Sequence, residues 1–328
     1  MSALCVGTHQ LGGDWGPDTD AAKDAVRAAF DRGITFFDGA ASYGNGRADA
    51  AFAEAMRDIL RGRRDEIVLC AKVGLRHDDS AASRRVRDAS AGFLRESLDG
   101  TLRTLGTDHV DVVMLHFPDP STGLDETAAA LTGLVDSGRA RAIGVSNVTP
   151  AELTAFAGRA KLSVAQFPFS VLAREPGGSI AATCDRLGIA GMAWAPLAQG
   201  FLTDHPPAPA DLPEGDYRRY TPWFNDGHWG ARFAFAGRFR DLASGYGLRA
   251  SQVALAWIRQ VAPCVVPVFG VQSQKQLLEN LGCLDVVLDD AGLAAIGALA
   301  DDVPPMDLLD AIPRPDRTSR WRRDEEET

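Results

Sequence analysis

Residues 67–75, IVLCAKVGL, and 110–116, VDVVMLH, flank an amphipathic stretch at 91–105, AGFLRESLDGTLRTL, that ends at Gly106. The two apolar runs are short and nearly unbroken, the pattern of strands covered on both faces. A glycine after the last periodic residue is how a helix hands over to a strand. Strand, helix and strand in this order read as a parallel βαβ unit.

Working outward, the same alternation fills the chain. Strand-like runs lie at 4–7, 35–38, 67–72, 110–115, 142–145, 164–167, 191–195 and 264–269. Helical patterns lie at 20–32, 48–60, 91–105, 124–137, 150–159 and 180–187, with Gly33, Gly106, Gly138 and Gly188 as punctuation. Eight such units close most naturally into a (β/α)8 barrel. An open doubly wound sheet would want a GxGxxG turn after its first strand, and Thr8-His9-Gln10-Leu11-Gly12-Gly13 is not one. The expected organisation is a single barrel over 1–300 and a tail at 301–328 whose last residues are disordered. A Pro- and aromatic-rich segment at 204–230 follows the seventh strand and is expected over the carboxyl-end mouth.

The chain has 328 residues and a formal net charge of -10, with 44 acidic against 34 basic side chains. That balance argues against nucleic acid, which needs a basic face. No run of about 18 uncharged apolar residues occurs, so no membrane span is expected, and with no secretory signal in MSALCVGTHQ the expected compartment is the cytoplasm. The five cysteines are scattered, with no metal spacing, and read as buried thiols; no metal is expected. Only four of the basic residues are lysines, so a lysine ending an apolar strand was not put there by background preference.

In a barrel the chemistry sits at the carboxyl ends of the strands. Read in order, those ends carry Thr8, Asp38, Lys72, His116, Ser146-Asn147, Gln166, Trp194 and Gly270. Lys72 ends a run in which an ammonium is costly without a carboxylate. Asp38 ends the neighbouring run, ITFFD, and is expected at the same height as its ion-pair partner. The loop after Asp38 supplies Tyr43. A phenol becomes a usable acid when a nearby ammonium stabilises its anion, and an imidazole such as His116 can orient a substrate oxygen. Taken singly, each has a plainer reading: a structural ion pair, a loop aromatic, a core histidine. Together they suit protonation of a carbonyl oxygen, with a hydride supplied from elsewhere.

At this point the sequence resembles the aldo-keto reductase family along nearly its whole length. The resemblance is carried by ITFFDGAASYGNG, IVLCAKVGL, VDVVMLHFPDP, GRARAIGVSN, VAQFPFSVLAREP, AWAPLAQGFLT and GVQSQKQLLENLG, in that order. It implies a (β/α)8 barrel that holds NADPH across its mouth and reduces a small-molecule aldehyde or ketone. It implies Tyr43 as proton donor, Lys72 as its activator, Asp38 as the partner of Lys72, and His116 as the residue orienting the carbonyl. Thr8 joins the cofactor contacts; Ser146, Asn147 and Gln166 match positions that hydrogen-bond the nicotinamide carboxamide, and Trp194 the aromatic that stacks on the ring. Pro196, Leu197, Gln199 and Gly200 match the loop over the pyrophosphate. Gly270, Val271, Gln272, Ser273 and Gln276 match the adenosine segment, with Glu279 and Asn280 its adenine pair. Gln272 and Gln276 stand where many relatives carry arginine, so Ser273, Lys275 and a helix N-terminus would bind the 2′-phosphate, or NADH competes. Tyr220, Trp223, Phe224, His228 and Trp229 are expected to line a substrate pocket, fitting a bulky ketone such as one on a sugar or secondary metabolite. Two other functions stay open: a nucleotide-binding regulatory or scaffold subunit, and a Schiff-base lyase acting through Lys72. Oligomeric state is not legible.

Overall fold

The computed structural model describes residues 1–13, 15, 19–77, 85–214 and 216–311; most of the tail, 312–328, lies outside them, and so does its expected disorder. The eight anticipated strands are all present: β1 (Cys5–Gly7), β2 (Phe36–Ala40), β3 (Val68–Val73), β6 (Val110–Leu115), β7 (Ala140–Ser146), β8 (Leu162–Pro168), β9 (Ala190–Trp194) and β10 (Val265–Phe269). They pair in parallel and close, β10 joining β1, into a (β/α)8 barrel. A two-stranded antiparallel hairpin, β4 (Leu75–His77) with β5 (Arg85–Arg87), stands beyond the end of β3.

Alternate residues of each strand point into the barrel. Cys5, Phe36, Cys70, Val112, Met114, Val164, Met192 and Val268 pack there as one apolar plug. The plug fills the barrel beneath Lys72, so the polar strand ends have a dry floor. The helices bury their apolar stripes on the outside. Ala91–Leu105 is typical: Ser90 caps it by accepting from Phe93 N, Leu94, Leu98, Leu102 and Leu105 face the sheet, and Gly106 ends it in the left-handed region at φ 69°. The anticipated helix at 48–60 is two, Arg47–Ala55 and Arg57–Gly62, broken at Met56. No helix among the described residues is long and apolar enough to cross a membrane.

Two features of this shell position the Tyr43 loop. Gly44 sits at φ 55° against the backbone of Gly12, where an added Cβ would come within 2.5 Å of the Gly12 carbonyl oxygen. Arg47 Nε donates to the same Gly12 oxygen at 3.0 Å. Behind the loop, Asp49 is buried between sheet and helix and accepts from Thr101 Oγ1 at 2.9 Å. Burial raises its pKa to about 6, and the Thr101 hydroxyl and the Lys72 charge offset only part of that rise. Folded protein therefore holds a proton that the unfolded chain releases between pH ~4 and ~6, and this group costs stability as pH rises through that window. Asp49→Asn, which mimics the protonated acid, should raise the melting temperature at pH 7.5, and the gain should vanish as pH falls to 4. Thermal melts over pH 4–8 check this; a gain that grows toward low pH contradicts it.

Candidate active site

The register of β2 and β3 sets Asp38 opposite Cys70 and Lys72 opposite Ala40. Asp38 is therefore one inward-facing layer below Lys72, not at the same height as the sequence led us to expect. The long lysine side chain spans the difference, and Lys72 Nζ donates to Asp38 Oδ2 at 2.5 Å, both groups buried. Burial alone would lower the lysine's pKa, but the Asp38 carboxylate, with Tyr43 and Cys70, outweighs it and raises it. The pair thus favours the charged ammonium.

Above this pair lies Tyr43. The Lys72 ammonium is 5.0 Å from the centroid of its ring. On one side the ring stacks on His9 at 4.4 Å, and His116 meets it edge-on at 5.8 Å. His9 is itself fixed, its Nδ1 accepting from Trp15 Nε1 at 3.1 Å. His116 follows β6, is buried, and has Ser42 Oγ 3.5 Å from its Nδ1. Burial first, then the positive charges of Lys72, Arg85 and Arg87, push its pKa well below the usual histidine range. A neutral imidazole offers one N–H donor and one acceptor, suited to holding an uncharged oxygen.

Asn147, just past β7, is the hub of the opposite wall. It adopts φ 61°, a conformation Asn tolerates better than most residues. Its Nδ2 donates to the His116 carbonyl at 2.9 Å and to Ser146 Oγ at 3.0 Å, while its Oδ1 accepts from Trp194 Nε1 at 3.0 Å. The amide thus pins the Trp194 indole to the end of β6. Gln166 keeps more capacity: among the described residues its Nε2 reaches only the Met192 sulfur, at 3.9 Å.

These side chains line a cavity of about 450 Å³ that runs from Tyr43 and His116 across the barrel mouth to Glu279 and Asn280. Asp38, Asn147, Gln166, Trp194, Pro196, Leu197, Gln199, Gly200, Gly270, Gln272 and Gln276 also border it. Ala195, Ala198 and Gln199 all have positive φ, folding the 195–200 stretch tightly along its wall. Lys72 lies buried beneath its floor, and four of the anticipated cofactor residues do not border it either. Thr8 faces the outer side of the sheet, toward Gly39 and Asp49; Ser146 and Val271 are fully covered; and Ser273 caps the helix Gln274–Leu281 by accepting from Gln276 N. At the far end Gln272 N donates to Gln276 Oε1 at 2.8 Å and Gln272 Nε2 to the Trp15 carbonyl at 2.8 Å, which commits both glutamines.

The five aromatic-loop residues expected in the substrate pocket are not in this wall. Trp223 and Phe224 point inward onto Phe201, the latter ring stacking at 5.0 Å, and the buried Arg232 donates to the Trp223 carbonyl at 2.8 Å. Tyr220 is 76% exposed, His228 is exposed, and Trp229 opens the helix Trp229–Gly245 with its ring edge-on to Phe233. Trp223 and Phe224 are spent on the segment's own core. The segment reaches the cavity instead through Asp204, His205, Pro207 and Arg218. His9, Trp15, Arg85, Phe117, Arg218 and Arg249 border the cavity without having been anticipated there. His9 alone had a readable signal, as it lies two residues past the first strand.

A parallel barrel with a long groove over its carboxyl end and ionisable groups gathered at one end of that groove defines an enzyme of the barrel class. The Aldo/keto reductase family profile matches residues 3–301. The chain is 28% identical over 302 residues to the aldo-keto reductase yakc [NADP(+)] of Schizosaccharomyces pombe, covering 91% of this chain and 87% of that one. It is 26% identical over 315 residues to the NADH-specific methylglyoxal reductase of Escherichia coli, covering 92% and 95%. The structure superposes on the glycerol dehydrogenase of Gluconobacter oxydans with a TM-score of 0.80 at 25% identity, over 97% of this chain and 94% of that one. This chain belongs to the aldo/keto reductase family, and it is an oxidoreductase.

The Asn147 hub gives a direct structural prediction. Trp194→Phe removes the indole donor to Asn147 Oδ1, which should cost about 0.5–1.5 kcal/mol. Urea denaturation measures the difference; a variant as stable as the parent would show that the hub carries no load.

Proposed function

We propose that this protein reduces an aldehyde or ketone to an alcohol, with NADPH bound along the cavity and Tyr43 as the proton donor. The observation that carries this reading is the buried Lys72–Asp38 pair directly beside the Tyr43 ring, at one end of a groove too long for a small substrate alone. The nucleotide fits the residues present. Gln166 has amide capacity left unfilled by its weak sulfur contact, and the pinned Trp194 indole offers a flat apolar wall of the kind a nicotinamide ring stacks on. When bound, that group supplies the hydride.

The protein's own residues supply the rest. The Tyr43 hydroxyl gives its proton to the carbonyl oxygen as the carbonyl carbon takes the hydride, and the alcohol leaves with both hydrogens. The Lys72 ammonium stabilises the phenolate that remains, and Asp38 holds that ammonium in place. Neutral His116 donates a hydrogen bond that orients the oxygen toward Tyr43. A proton from solvent then restores the phenol.

At the far end of the groove Gln272 and Gln276 are committed to each other and to Trp15. The cations there are Arg249, whose Nη1 meets Asp204 Oδ2 at 2.7 Å, and Lys275, 4.0 Å from Glu279. We assign recognition of the 2′-phosphate to these two. The printed names of relatives span both choices, NADP(+) in the fission yeast protein and NADH in the bacterial one, and NADH is expected to compete here.

Tyr43→Phe should lower carbonyl reduction by roughly 100-fold to 10,000-fold while NADPH still quenches tryptophan fluorescence with nearly the parent affinity. Unaltered turnover would remove Tyr43 from the role. Lys275→Ala and Arg249→Ala should each lower the affinity ratio of NADPH to NADH by about tenfold, read from equilibrium titrations; ratios that do not move would place the phosphate elsewhere.

A further inference from the structure

The contact between Lys72 and Asp38 uses one carboxylate oxygen, Oδ2. The other, Asp38 Oδ1, is buried and takes no hydrogen bond from a nitrogen or oxygen donor among the described residues. A carboxylate accepts through both oxygens, and leaving one of them bare in a dry interior is costly. What stands beside Oδ1 therefore bears on how the pair is held.

Below Lys72 the barrel holds the apolar plug, and of the described side chains in it only Cys5 and Cys70 carry a polar hydrogen; Met114 and Met192 bring sulfur without one. The two thiols are not equivalent. Val6 pairs with Phe37 and Gly7 with Asp38, so Cys5 lies level with Phe36, one inward layer beneath Asp38, and its Sγ donates to the Val6 carbonyl at 3.9 Å. Cys70 is level with Asp38 itself in the β2–β3 ladder, one strand spacing of about 4.8 Å away. Burial first, then the Asp38 charge, raises the pKa of both thiols, but only Cys70 is raised further by a side-chain hydrogen bond to Asp38. Lys72 opposes these effects and Asp111 adds a smaller rise at Cys70. The proton stays on the Cys70 sulfur, where it can be donated.

We propose that Cys70 is a positioning residue of the active site: its thiol donates to Asp38 Oδ1 and so reserves Oδ2 for the Lys72 ammonium. Its effect on turnover rests on the reduction reading above. A donor to an ionised carboxylate makes a stronger bond than one to a neutral acceptor, and with Oδ1 held from the side the carboxylate does not turn. Lys72 then keeps its place beneath the Tyr43 ring. Without the thiol, the bare oxygen turns to the ammonium and draws it away from Tyr43. A weaker positive field at the phenol makes it a poorer acid.

The test compares the full-length protein with Cys70→Ala, Cys70→Ser and Cys5→Ala. Infrared spectra resolve the thiol stretching bands, each assigned by the variant that loses it. The Cys70 band should lie at lower frequency than the Cys5 band, and Cys70→Ser assigns it even if Cys70→Ala does not fold. With NADPH and para-nitrobenzaldehyde, Cys70→Ala should lower kcat about tenfold and leave KM nearly unchanged. It should also move the basic fall of kcat to higher pH, because a phenol whose anion is less stabilised ionises later. Cys70→Ser, whose hydroxyl donates from the same place, should recover most of the rate and the parent pH profile, and Cys5→Ala should stay close to the parent in both. His9 and His116, the other ionisable groups beside the phenol, are left in place by all three changes. A Cys70 band at or above the Cys5 band, or Cys70→Ala and Cys5→Ala alike in rate and pH profile, overturns the proposal. A low Cys70 band in a protein that turns over no aldehyde upholds the bond from thiol to carboxylate and instead removes the reduction reading.

Discussion

A lysine ammonium enclosed by a barrel wall must be neutralised locally, and the 2.5 Å contact between Lys72 and Asp38 is the constraint from which the rest of the site follows. Removing one partner of a buried pair leaves the other charge stranded, at a cost of about 3–5 kcal/mol, so neither group is free to move away. The pair fixes the ammonium beneath the Tyr43 ring. Its field also reaches His116 and, with burial, keeps that imidazole uncharged. The charged state of Lys72 and the neutral state of His116 thus both draw on one interaction, set by two strands whose registers differ by one inward layer.

The cavity beside the pair is shaped by backbone that is not relaxed. Asn147, Ala195, Ala198 and Gln199 hold positive φ values, each costing of order 1 kcal/mol or more for a residue with a Cβ. Side-chain bonds offset this: Asn147 to His116, Ser146 and Trp194, and Thr221 Oγ1 to Gln199 Oε1 at 2.7 Å. On the other side, Gly12 and Gly44 approach so closely that only glycine fits, which brings the Tyr43 loop down onto the mouth. Strain and close approach are concentrated where a ligand would be gripped, and the outer helices are ordinary by comparison.

Much of this was legible in the chain itself. Parallel strands covered on both faces must be continuous apolar runs, so the polar residue that ends each run is conspicuous, and Asp38, Lys72, His116, Asn147, Gln166 and Trp194 all meet at the mouth. Register was not legible, because one strand's alternation says which face a residue takes but nothing about its level against its neighbour; Asp38 and Lys72 differ by a layer for that reason. Side was equally hidden at Thr8, which turns outward. The hairpin sequences LRH and RVR are too short and too charged to announce strands. The aromatic segment at 204–230 misled most. Composition reports that rings are present, not whether they wall a pocket or fill the segment's own core, and here the buried Arg232 and Phe201 draw Trp223 and Phe224 away from the cavity.

In the proposed mechanism Lys72 acts through Tyr43 and not independently of it. A double-mutant cycle on carbonyl reduction, built from Tyr43→Phe, Lys72→Met and the combined variant, measures this directly. The account predicts a combined variant no slower than the slower single variant, within a few fold. Losses that multiply, so that the combined variant falls by the product of the two, would show that the ammonium contributes by another route and would contradict it.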